Sequence, residues 1–132
     1  MLRRLAAERA ALPIAAGCDY RVAGAGDSLD FDGLDVSLRH VRLALRGAYQ
    51  RDNAATALAA LAAVRHAVPV SEAALRQGLA SVRWPGRLEV VAGLPLAVLD
   101  GAHNVDGVEQ LVAELLHLLG GREDASVVRR HG

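Results

Sequence analysis

The sequence predicts an α/β fold, and three observations carry that prediction. Residues 14–46 are apolar segments punctuated by glycine and aspartate, the texture of antiparallel hairpins. Two alanine- and leucine-rich stretches behind them carry helix start and stop signals. A short apolar run, Leu96-Ala-Val-Leu-Asp100, then leads through a turn into an amphipathic helix, as in a strand–helix unit of an open sheet. One such unit cannot bury itself, so the chain reads as the end of one domain joined to the opening of another.

In order, residues 2–12 predict a short helix ended by Pro13. Within the meander, Asp32-Gly33 is the expected turn between Leu29-Asp-Phe31 and residues 34–38. The clearest strand is 41–46, with Val41, Leu43 and Leu45 on one face and Arg42 and Arg46 on the other. Residues 50–67 predict a helix offering Leu58, Leu61 and Val64 for burial, and Pro69 stops it. Ser71 is the expected N-cap of a helix reaching about Ala80, with Glu72 in its first turn. Trp84-Pro85-Gly86 breaks regular structure, and a strand is expected over 87–92. The run 96–100 has the character of a buried parallel strand. The final helix spans 105–119, with Val108, Leu111, Val112, Leu115, Leu116 and Leu119 on one stripe. Asn104 caps it, and Gly120-Gly121 end it.

Composition excludes several function classes. The chain has 132 residues, 15 basic and 15 acidic side chains, and a formal net charge of zero. Every basic residue is arginine, so no phosphate-loop lysine and no Schiff base can be completed within it. Zero net charge gives no footprint for nucleic acid. No apolar run reaches the length of a membrane span, and charges interrupt any leader-like core near Met1. The one cysteine, Cys18, excludes an internal disulfide and reads as a buried or half-buried thiol. A cytoplasmic protein is expected.

Several motifs dissolve on inspection. Gly24-Ala-Gly-Asp27 lacks the third glycine and the following helix of a dinucleotide fingerprint, so it reads as a turn. The five histidines show no metal-ligand spacing; His40, His66 and His117 read as surface or half-buried residues, and the Arg129-Arg130-His131 tail as solvated. Asp27, Asp30, Asp32 and Asp35 read as turn residues capping local backbone.

Three segments remain that generic structure explains poorly. Gly47-Ala-Tyr-Gln-Arg-Asp-Asn53-Ala-Ala places a polar side chain near the start of an apolar helix. Trp84-Pro-Gly-Arg87-Leu-Glu89 presents an arginine on a stiff turn, suited to phosphate. Asp100-Gly-Ala-His103-Asn104 gathers Asp, His and Asn at a strand end before a helix. Taken singly, each also has a plain structural reading: Asn53 as a helix-start residue, Arg87 in a surface ion pair with Glu89, and Asn104 as a helix cap.

In this order the three segments resemble folylpolyglutamate synthase/dihydrofolate synthase, of the Mur ligase superfamily, over most of the chain. Gly17-Cys-Asp-Tyr20 and Gly78-Leu79 also fit the family's pattern. The resemblance implies the end of a Mur-ligase central, ATP-binding domain over 1–91, joined to the first strand–helix unit of a Rossmann-like C-terminal, glutamate-ligase domain over 92–132. It implies an ATP-dependent ligase joining L-glutamate to a folate, dihydropteroate or tetrahydrofolate. A substrate carboxylate attacks the γ-phosphate, and the glutamate amine displaces phosphate from the acyl phosphate, with Mg2+ neutralising developing charge. Asn53, Arg87 and Asp100 fall where the family contacts ATP between the two domains. His103, beside Asp100, is the further catalytic candidate, near the reacting phosphate or the incoming glutamate. The family's phosphate loop, metal ligands and modified lysine are expected outside these residues, so this segment alone is expected to be inactive. The complete protein is expected to be a monomer, with no nucleic-acid or membrane partner. Tyr49 stands where the family usually has His. Two other readings are a Mur-type ligase with a different acyl acceptor, and an inactive nucleotide-binding or interaction module.

Overall fold

The computed structural model describes residues 2–91 and 97–120, in two compact units, Met1–Trp84 and Pro85–Gly132. The first unit opens with helix α1 (Leu2–Glu8), which stops before Pro13, and continues as a three-stranded antiparallel sheet of β1 (Tyr20–Ala23), β2 (Ser28–Gly33) and β3 (Val36–Arg42) in sequential order. The meander texture therefore gives the expected class of structure, with two local shifts.

The β2–β3 turn is Leu34-Asp35 rather than Asp32-Gly33. Gly33 pairs with Val36, and both loop residues have positive φ, 53° and 59°, as a two-residue type I′ turn requires. Gly33 is needed for a different reason: at φ 148° a Cβ would lie 2.4 Å from the Asp19 carbonyl oxygen and 2.6 Å from the Tyr20 Cα. The left-handed turn is held from outside by Arg65. Its Nη1 donates to the Leu34 carbonyl (2.7 Å) and its Nη2 to the Asp35 carboxylate (2.6 Å).

The third strand is 36–42, not 41–46. A bulge explains the difference: Leu29 pairs with Val41 but Phe31 with Leu38, leaving an extra residue on β3. His40 sits there at φ 53°, and its N–H donates to the Asp30 carboxylate at 2.6 Å. Asp27 pairs with Arg42, Asp32 with Arg39 and Asp35 with Arg65. The four aspartates thus serve turns and ion pairs, as turn chemistry predicts. Cys18, by contrast, is exposed, because it stands in the tight turn that leads into β1.

The core is the inward face of this sheet. Leu29, Phe31, Leu38 and Val41 are fully buried, and the Phe31 ring stacks on Tyr20 at 5.4 Å between centroids. Helix α2 (Tyr49–Ala63) packs on β1 and β2 through Ala54, Ala55, Leu58, Ala59 and Ala62. Small side chains let the helix backbone approach the sheet closely. Leu61 is only partly buried and Val64 is exposed, so alanine, not the larger apolar residues, forms most of the packed face. The helix ends at Ala63, four residues earlier than expected, and the chain leaves it through turns, with the Val68 N–H donating to the Val64 carbonyl.

Helix α3 (Glu72–Ser81) lies against β3. Its predicted cap is present: the Ser71 hydroxyl accepts from the Ala74 N–H at 3.2 Å. Ser71→Ala is expected to cost about 1 kcal/mol, measurable as a lowered urea midpoint with an unchanged slope.

The second unit contains β4 (Glu89–Val91), β5 (Ala97–Leu99) and helix α4 (Val105–Leu119). The strand pair is antiparallel, with Val90 opposite Val98. The expected buried parallel strand is therefore a half-exposed hairpin partner. A connection of five residues is too short for the crossover that a parallel pair demands. Residues 92–96, Gly121 and the Arg129-Arg130-His131 tail lie outside the described residues. Helix α4 has the expected bounds, and the Asn104 side chain accepts from the Gly107 N–H at 2.8 Å. Its apolar stripe has no fully buried residue, and Leu116 is 67% exposed. No described helix is long and apolar enough to cross a membrane.

Candidate functional site

Asn53 lies in the second turn of α2, exposed, on the opposite side from the alanine face. Its Nδ2 donates to Gln50 Oε1 at 3.3 Å. Gln50 is the one buried polar residue among those described, at 6% exposure. A buried amide must keep its hydrogen bonds, so Gln50 anchors one end of the Asn53 side chain and leaves Oδ1 outward. This partner was missed in the sequence, although its i, i+3 spacing to Asn53 places the two on one helix face. The helix start adds little for an anion at Asn53. Ala48 provides no side-chain cap, and Asp52 already occupies the favourable end of the helix dipole. Gly47, at φ 106°, makes room for the following ring: a Cβ there would lie 2.6 Å from Tyr49 Cε1. The aromatic ring of Tyr49 thus folds back on the turn that begins the motif.

Arg87, Asp100 and His103 belong to the second unit, where the structure brings two of the three motifs together. The 85–88 turn has Gly86 at φ 72° and Leu88 at φ 46°. A left-handed leucine costs roughly 1–2 kcal/mol, and here the leucine side chain is buried while its N–H donates to Asp100 Oδ2 at 2.7 Å. Asp100 Oδ1 accepts from the Ala102 N–H at 2.8 Å. The Gly101 N–H donates to the Gly86 carbonyl at 2.8 Å, and the Gly86 N–H to Glu89 Oε2 at 2.9 Å. Asp100 therefore does not pair with the Arg87 guanidinium; it holds the backbone beside it.

Two consequences follow for the sequence-predicted residues. Glu89 accepts from the Gly86 N–H and makes no ion pair with Arg87. Arg87 is exposed and makes no hydrogen bond or ion pair among the described residues. An arginine on a braced turn, without a partner among the described residues, is suited to a carboxylate or phosphate. His103 is exposed and its Nδ1 lies 2.9 Å from the Gly101 carbonyl, which leaves Nε2 outward. Asn104 acts as the helix cap. Among the described residues no group of three or more His, Cys, Asp or Glu side chains could hold a metal ion.

Comparison with known proteins places this geometry in context. No family model matches the chain. It is 36% identical over 100 residues to the folylpolyglutamate synthase of Lacticaseibacillus casei, covering 74% of this chain and 23% of that protein. It is 40% identical over 89 residues to the dihydrofolate synthase/folylpolyglutamate synthase of Bacillus subtilis, covering 66% of this chain and 21% of that protein. Among solved structures, Escherichia coli FolC in complex with DHPP and ADP superposes with a TM-score of 0.78 at 33% identity, over 89% of this chain and 27% of that one. The chain thus spans about a quarter of the length of the proteins it matches. Over that span, it is a homologue of the folylpolyglutamate and dihydrofolate synthases.

Proposed function

We propose that the chain is part of an ATP-dependent ligase that joins L-glutamate to a folate through an acyl phosphate, and that Asn53, Arg87 and Asp100 form its share of the nucleotide site. The observation that carries the reading is Arg87, an exposed guanidinium without a partner among the described residues, on a turn that three hydrogen bonds hold. Support comes from ADP bound in the similar FolC structure and from the names of the relatives. In this reading Arg87 pairs with phosphate oxygens, and its charge offsets the negative charge that builds on the transferring group. Asn53 offers its outward Oδ1 to a donor on the nucleotide. Asp100 braces the Arg87 turn and has lone pairs left for a ribose hydroxyl. His103, with Nε2 outward, faces the reacting phosphate or the incoming amine.

Residues 1–91 would belong to the central domain and 92–132 to the glutamate-ligase domain; the compact units divide slightly earlier, after Trp84. Magnesium ligands would come from outside these residues. The complete enzyme would act as a cytoplasmic monomer.

The test is a segment exchange. The matched segment of the Bacillus subtilis relative is replaced by this chain's, and ADP release is followed with dihydropteroate or tetrahydrofolate and glutamate. Release that needs both glutamate and one of these acceptors is the expected outcome. A folded exchange protein that releases no ADP with either acceptor, or releases it without glutamate, would contradict the proposal. The 132-residue chain by itself is expected to release none.

A further inference from the structure

We propose that Glu89 is a positioning residue for Arg87, its carboxylate fixing the turn from which the guanidinium projects. This inference rests on the reading of Arg87 as the phosphate contact. The 85–88 turn carries two left-handed residues, Gly86 and Leu88, on either side of Arg87. A turn so placed can relax to other backbone conformations unless its amides are held. Two carboxylates hold them, one from each side: Glu89 Oε2 takes the Gly86 N–H at 2.9 Å and Asp100 Oδ2 takes the Leu88 N–H at 2.7 Å. The Gly86 carbonyl is tied in turn by the Gly101 N–H at 2.8 Å.

Both amides flanking Arg87 thus end on carboxylate oxygens, a charge-assisted arrangement stronger than a neutral hydrogen bond. The acids that lie closest in sequence to the arginine, which a plain charge count would pair with it, bind backbone instead. Arg87 keeps its donors for a ligand, and the cost of ordering its turn is met before the ligand arrives. Asp100 performs this task from the neighbouring motif, and Glu89 performs it from within the arginine's own motif. A negative side chain next to a phosphate-binding arginine would ordinarily weaken anion binding. Its tolerance here is explained by the backbone role.

The experiment titrates ATP into this 132-residue chain and into Glu89→Ala, Glu89→Gln and Arg87→Ala, reading affinity from saturable backbone-amide shifts and following the Gly86 amide directly. Glutamine keeps an oxygen that accepts from the Gly86 N–H, so Glu89→Gln is expected to bind ATP within about twofold of the parent and to keep that amide protected. Glu89→Ala is expected to bind roughly fivefold more weakly, the loss of one hydrogen bond, with faster exchange at Gly86. Tighter binding by both variants would identify Glu89 as a mere repulsive charge and overturn the proposal. Parent-like binding by Glu89→Ala, with Arg87→Ala impaired, would overturn it while leaving the Arg87 reading intact. Parent-like binding by Arg87→Ala, or no saturable response in the parent chain, would defeat that reading and this inference together.

Discussion

Arg87→Ala in the segment-exchange enzyme is expected to raise the KM for ATP by about ten- to a hundredfold, the loss of a charged hydrogen bond of about 1.5–3 kcal/mol. The size follows from the surroundings of the guanidinium. It makes no ion pair among the described residues, so its removal strands no buried carboxylate and should leave stability nearly unchanged. Arg87→Lys restores charge without the planar fork and is expected to recover only part of the affinity. Steady-state kinetics with ATP as the varied substrate, paired with thermal unfolding, separates the two effects. An unchanged KM would remove Arg87 from the nucleotide site.

Phe31→Ala is expected to be the most damaging single change in the first unit, at about 3–5 kcal/mol. Phe31 is fully buried, stacks on Tyr20 and lies among Leu29, Leu38 and Val41 under the alanine face of α2. Leu58 is the one large buried side chain that α2 offers to this core, and the alanines beside it are too small to fill the void. Phe31→Leu keeps most of the volume and should cost much less. Urea unfolding of the two variants checks the ordering. A Phe31→Ala midpoint close to that of the parent would mean that the core is not organised around this ring.

How far the sequence could be read differs from element to element, for physical reasons. Helix α4 was legible to the residue because its signals are local: Asn104 caps the start, the apolar spacing is helical, and Gly120 follows the end. Ser71 was legible for the same reason. The β2–β3 turn was not. Asp32-Gly33 is the stronger local signal, but Gly33 answers a close approach from Tyr20, and Leu34-Asp35 is held by an arginine thirty residues away. The bulge at His40 likewise depends on an aspartate on the neighbouring strand. In α2 hydrophobicity picked out Leu58, which is buried, but Leu61 is only partly buried and Val64 exposed, because alanines all round the helix leave the packed face unmarked.

At the site, the residue types were legible and their partners were not. Asn53, Arg87, Asp100 and His103 stand in ordered motifs, and the fold brings the turns of the last three together in one unit. Asp100 accepts from the Leu88 amide, next to Arg87 in the chain, and makes no ion pair with the Arg87 guanidinium. Gln50 went unnoticed because it works on a neighbour, the Asn53 amide, and Glu89, which sequence proximity pairs with Arg87, binds the Gly86 backbone instead.

The central claim, that Asn53 and Arg87 recognise a nucleotide, is tested most directly by mapping where ATP acts on the chain. Backbone and side-chain amide spectra are recorded as ATP is added, with AMP as the control that lacks the outer phosphates. Saturable shifts at the Asn53 side-chain amide with either nucleotide, and at Arg87 and 101–103 with ATP only, are the expected result. Shifts confined to other residues, or a response at Arg87 equal for ATP and AMP, would contradict it.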